Sequence, residues 1–186
     1  MNVAVSERHF GSQRSADHLS FRPAVPAFVQ SQPSRAVPAE KIPIASDHAG
    51  FELKQKLAQH LRSLGFEVED LGTNSPASSD YADFAHPVAA EVSSGEVKRG
   101  VLLCGTGLGM AYAANRHPHV RAAVVWAPEV AELARKHNDA NVLVLPARFL
   151  SDEDAERILD TWLNTPFEGG RHSARVGKIE LPEGSQ

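Results

Sequence analysis

The chain has 186 residues, 42% apolar and 23% charged, which suits one domain with a buried core and excludes fibrous or wholly disordered classes. With 19 basic against 23 acidic residues the net charge is −4, which excludes a broadly basic protein that coats nucleic acid. A single cysteine excludes a disulfide framework or a multi-cysteine zinc site, and suits a reducing compartment.

No apolar run approaches the ~20 residues that span a bilayer. The opening MNVAVSERHFGSQRS has no apolar stretch behind a basic one, so no secretory signal is expected. These features predict a soluble, cytoplasmic protein that binds neither membrane nor nucleic acid. Residues 1–40 carry Pro23, Pro26, Pro33, Pro38 and six serines with no apolar period, which predicts a flexible tail. The folded domain is expected over 41–186, ending in a helical segment.

KIPIAS (41–46) reads as a first strand, with Pro43 suited to an end or edge position. Leu53, Leu57, Leu61 and Leu64 then mark a helix that Gly65 stops. FEVEDLG (66–72) alternates as a strand, and 84–93 is a short helix ended by Gly95. GVLLC (100–104) is the continuous apolar run of a strand buried on both faces. LGMAYAANR starts a helix, VRAAVVW is a strand, and PEVAELARKHN is a helix with Pro128 in its first turn. NVLVL (141–145) is the fifth strand. Ser151 and Asp154 form a capping box before a helix whose apolar face is Ala155, Ile158, Leu159, Trp162 and Leu163.

Strands alternating with helices through short connections imply an α/β fold: a Rossmann-like, doubly wound, five-stranded parallel sheet in three αβα layers. Ligands in such sheets bind beyond the carboxyl ends of the strands, near the switch in strand order. There the sequence places Ser46-Asp47-His48 and Cys104-Gly105-Thr106-Gly107-Leu108-Gly109. The alternate glycines and a helix N-terminus form a nest of N–H groups for negative charge. Met110 stands where a dinucleotide fingerprint needs glycine, and no Gly-Lys-Ser/Thr follows, so neither nucleotide motif is met.

A thiol at such a nest has its thiolate favoured, which suits Cys104 to act as a base or nucleophile; a buried, inert cysteine is the competing reading. Its company favours chemistry. Asp47-His48 closes one strand and His137-Asn138 closes a helix, and the topology is read as bringing His48 and His137 to the edge that carries Cys104. Arg171 and Arg175, four apart, share a helix face and suit a phosphate clamp or a solvated surface, and Arg148 is a third candidate. No His-x-x-x-His or Cys/His cluster supports a metal.

The motifs SDHAGFELK, DLGT…DYADFA, GVLLCGTGLGM…AAN, ARKHNDANVL and FEGGRHSARV, spread from Lys41 to about Leu181, resemble the B-type ribose-5-phosphate isomerases, the family that includes the galactose-6-phosphate isomerase subunits. The resemblance implies proton transfer through a cis-enediolate, as in ribose 5-phosphate to ribulose 5-phosphate conversion in the pentose phosphate pathway. It assigns Cys104 as the base and His137 as the ring-opening group. Gly105, Thr106, Gly107, Leu108 and Gly109 hold the oxyanion, and Asp47 and Asn138 hold hydroxyls. His48, Arg148, Arg171 and Arg175 surround the phosphate.

The resemblance also implies a homodimer or dimer of dimers with shared sites, binding a small phosphorylated sugar without metal or organic cofactor. Members that lack the cysteine use a glutamate where Met110 stands here, which leaves Cys104 as the base. Ala111-Tyr112 and Leu145-Pro146-Ala147 depart from the family pattern beside the site. Allose 6-phosphate and galactose 6-phosphate are alternative substrates. A non-catalytic sugar-phosphate-binding module is the reading from another class.

Overall fold

The computed structural model describes residues 39–180, so the tail expected over 1–40 lies, Ala39 and Glu40 apart, outside the described residues. Within them five strands, β1 (Lys41–Ser46), β2 (Glu67–Asp70), β3 (Gly100–Cys104), β4 (Ala122–Val124) and β5 (Val142–Pro146), form one parallel sheet in the order β2-β1-β3-β5-β4. The helices are α1 (Phe51–Ser63), α2 (Tyr81–Ser94), α3 (Leu108–Ala114), α4 (Pro128–Asn138), α5 (Asp152–Asn164) and α6 (Arg171–Val176).

Alternation along the fully buried strands sorts side chains into two cores. Ile42, Ile44, Val101, Leu103, Leu143 and Leu145 pack with α1, α4 and α5, where the expected stripes of Leu53, Leu57, Leu61 and of Ile158, Leu159, Trp162 are buried. Ala45, Leu102, Cys104, Val142 and Val144 face the other way, against Val88, Ala89 and Val92 of α2 and Met110 and Ala114 of α3. Cys104 therefore leaves the sheet on the α2/α3 face, where α3 begins.

Three sequence expectations are adjusted. β1 is an interior strand, so of the two positions expected for Pro43 it lies toward the strand end and not at the sheet edge. Its N–H groups alternate, Ser46 donating to Gly72 O at 2.7 Å on the β2 side and Asp47 to Leu103 O at 3.2 Å on the β3 side. Position 43 accordingly faces β3, one residue before the first β1–β3 pair, Ile44↔Val101, so the proline removes no ladder bond. The edge strands β2 and β4 are shorter than their hydrophobic runs. α2 starts at Tyr81, a turn early, and Pro87 lies inside it.

The caps follow the sequence. Gly95 is left-handed at φ 78° after α2, Pro128 opens α4, and Ser151 Oγ accepts from Asp154 N at 3.1 Å at the start of α5. No helix among the described residues is long and apolar enough to cross a membrane.

Candidate active site

The strand order reverses between β1 and β3, so the crevice lies beyond their carboxyl ends. β1 runs into the buried Asp47, whose Oδ1 accepts from Ala49 N (2.9 Å) and Gly50 N (3.2 Å), capping the single turn His48–Gly50. His48 is tied to the loop between β2 and α2. Its backbone N–H donates to Ser79 Oγ at 3.2 Å, and Ser79 N–H donates to its Nδ1 at 3.3 Å.

β3 ends at Cys104, 3% exposed, whose Sγ accepts the N–H of Gly107 at 3.1 Å. Gly107 has φ 79°, and a Cβ there would stand 2.9 Å from Val124 Cγ1, so only glycine closes this turn. Its neighbours are small for close approach: Arg148 lies over Gly105, with Nε 3.2 Å from where a Cβ would be, and Tyr81 fills that place at Gly109. Arg148 N also donates to Gly105 O at 3.2 Å. Thr106 and Leu108 are exposed, and Thr106 Oγ1 accepts Leu108 N at 3.4 Å. Asp47, His48, Cys104, the 105–109 turn and Arg148 thus share one edge of the sheet.

His137 does not share that edge, and this corrects the topological expectation. In a βαβ unit the helix runs against the strands, so α4 leaves the carboxyl end of β4 and returns to the amino end of β5. His137 and the exposed Asn138 end α4 just before β5 begins at Val142, whereas Cys104 pairs with Pro146 at the far end of that strand. The intervening strand alone spans about 13 Å.

A second cluster forms at the amino edge, where Glu168 N donates to Lys136 O at 3.1 Å and brings α6 to the end of α4. The His137 and His172 rings stack with centroids 4.3 Å apart and 6° between planes. Glu168 Oε2 lies 3.8 Å from His137 Nε2 and 3.9 Å from His172 Nε2. Arg171 and Arg175 of α6 are exposed beside them.

The ligand atoms of His137, Glu168 and His172 lie within 4.8 Å of one another, close enough to be compared with a cation site. The details oppose one. Arg171 Nε donates to His172 Nε2 at 3.3 Å, occupying the lone pair a metal needs, and the in-plane lone pairs of two parallel rings do not converge on one point.

Burial, with the neighbouring His137 and Arg171, holds His172 below its ordinary 6.5, and burial with His86 lowers His117, whose Nε2 is 2.9 Å from His86 Nδ1. A histidine with a lowered folded-state pKa takes up its proton more readily when unfolded, so its contribution is complete above 6.5 and lost as pH falls below it. The melting temperature should therefore drop between pH 7 and pH 5, and His117→Gln should flatten that slope; a wild-type melting temperature constant over this range would contradict the expectation.

The Ribose/Galactose Isomerase pattern matches residues 42–179. The chain belongs to that family. It is 46% identical over 144 residues to ribose-5-phosphate isomerase B of Escherichia coli (strain K12), covering 77% of this chain and 97% of that protein. Among solved structures, a ribose 5-phosphate isomerase from Thermotoga maritima is 55% identical with a TM-score of 0.74, covering 75% of this chain and 97% of that one. Ribose-5-phosphate isomerase B from Mycoplasma genitalium, solved with bound ribulose-5-phosphate, is 46% identical with a TM-score of 0.73, covering 75% and 93%.

Several residues around this family site escaped the sequence reading. Ser79 and Tyr81 lie within the DLGT…DYADFA stretch, which carries the resemblance but assigns neither residue a role. Glu168 and His172 form a Glu-x-x-x-His pattern, a spacing that a search for paired histidines passes over.

Proposed function

We propose that the chain interconverts ribose 5-phosphate and ribulose 5-phosphate, as a cytoplasmic enzyme of the pentose phosphate pathway. The observation that carries the reading is Cys104, whose sulfur accepts the Gly107 N–H at the mouth of the glycine turn, in a chain of the isomerase family. In the proposed reaction the Cys104 thiolate takes the proton from C2 of the open-chain aldose. Charge passes to O1, and the resulting cis-enediolate lies against the N–H groups of the 105–109 turn and the Thr106 hydroxyl, the kind of stabilisation that contributes most to such steps. Transfer of the O2 proton to O1 and return of the proton from sulfur to C1 give the ketose. Asp47 orients hydroxyls, and His48 and Arg148 face the phosphate end.

The furanose must first open, with the O1 hydroxyl losing a proton, the C1–O4 bond breaking and O4 gaining a proton. That is the role proposed for His137, with Asn138 holding hydroxyls and Arg171 and Arg175 binding phosphate. Because the two clusters lie at opposite edges of one chain, the proposal requires two copies, Cys104 of one meeting His137 of the other. Cys104→Ala and His137→Ala should each be inactive. After dissociation and random re-pairing, half the dimers are mixed and each holds one intact site, so about a quarter of wild-type activity should return. Absence of recovery after proven subunit exchange would place both groups in a site built by one chain.

The direct test follows ketose formation from ribose 5-phosphate in EDTA. Rapid conversion is expected. Conversion of allose 6-phosphate alone would keep the chemistry and change the sugar, and thermal stabilisation by either sugar without conversion would favour the binding module.

A further inference from the structure

His172 has a geometry that the phosphate clamp does not account for. It sits between the exposed Arg171 and Ser173 on α6, yet it is itself 3% exposed. The guanidinium Nε of Arg171 is a donor only, so His172 Nε2 is the acceptor of that bond. A neutral imidazole accepting at Nε2 carries its proton on Nδ1, so the bond fixes both tautomer and ring plane. Against this ring lies His137, parallel within 6° and 4.3 Å away.

His137 needs such a wall. It stands in the last turn of α4, half-buried, where an imidazole has several rotamers open to it. The carboxylate of Glu168 is 3.8 Å away, beyond hydrogen-bond distance, and so does not fix the ring. A flat, neutral ring face restricts the second ring to sliding in its own plane. It also tolerates a positive charge on that ring, since the electron-rich face of a neutral aromatic attracts cations.

We propose that His172 is a positioning residue for His137: its buried imidazole, oriented by Arg171, is the surface on which the His137 ring is stacked and aimed at the sugar ring. This rests on the reading of His137 as the ring-opening group. It predicts that His172 matters only when a ring has to be opened.

The test compares two substrates of equal length carrying the same phosphate. Ribose 5-phosphate closes through O4, whereas 4-deoxyribose 5-phosphate lacks that hydroxyl and has no furanose form. Wild type should convert both. His172→Ala should lose about tenfold or more in kcat on ribose 5-phosphate, since small misplacement of a reacting group is costly. On the 4-deoxy sugar it should stay within about twofold of wild type, because the C1–C2 proton transfer is untouched. His172→Phe, which restores a flat ring, should recover most of the ribose 5-phosphate rate.

Equal losses on both substrates would overturn the proposal by placing His172 in phosphate binding or in the fold. So would an alanine variant with unchanged kcat, or a folded phenylalanine variant no better than alanine. Full activity of His137→Ala on ribose 5-phosphate would instead remove the ring-opening reading on which the proposal stands.

Discussion

Cys104→Ala should lower the turnover of ribose 5-phosphate by about three orders of magnitude or more, because general acid–base groups contribute about 10²–10⁴-fold and no second base stands in the turn. Met110, the side chain that follows the turn, is fully buried in the α2/α3 core and carries no basic group. The loss should fall on kcat and leave the Michaelis constant within a few-fold, since the sulfur is engaged by Gly107 N–H and the hydroxyls and phosphate are proposed to be held by other residues. Alanine removes only the sulfur atom from a position packed among small apolar side chains of the α2/α3 core, so folding should be preserved. A variant that retains more than about a tenth of wild-type turnover would remove cysteine from the mechanism.

The second large effect is on stability. Lys54 in α1 is fully buried, and its ammonium pairs with Asp70 at the end of β2. Asp70→Ala leaves that buried charge alone, which costs about 3–5 kcal/mol. In a domain of this size the melting temperature should fall by roughly 6–20 °C. Pairing it with Lys54→Met should restore much of the loss, because the cost lies in the unmatched charge and not in the missing contact. If the double variant is no more stable than Asp70→Ala, the charge argument fails.

The same substitution reaches the site. Asp70 Oδ1 also accepts Gly72 N at 3.0 Å, and the chain then exchanges bonds with Ser46 through Gly72 O and Thr73 N, both at 2.7 Å, before Ser79 meets His48. A shifted loop should raise the Michaelis constant for the sugar phosphate through His48, even well below the melting temperature.

The sheet was legible because its signal is local. GVLLC reads as a strand buried on both faces and is one over the same residues, and the Leu53–Leu57–Leu61 stripe is buried as its period requires. Strand ends were harder to read at β2 and β4, where a single neighbour pairs with them and the hydrophobic run outlasts the ladder. Cys104 and the glycine turn were found because positive φ and close approach leave glycines in the sequence. The position of His137 is not legible from its closeness in sequence to a strand, because a helix carries its last residues back to the edge its strand came from. His172 lies inside the FEGGRHSARV motif, but nothing local assigns it a role, since the ring it stacks on belongs to another helix.

The single thiol of this chain has a practical consequence. Its sulfur is covered and engaged by an amide, so alkylating reagents can reach it only when the turn at 105–109 opens. Each molecule has one mass-shifting target, and its labelling half-life is a clock for that opening. The clock should slow when a sugar phosphate fills the crevice. An oxidant that crosslinks proteins through exposed cysteines should leave this one as single chains, with its vulnerability confined to the moments when the site is open.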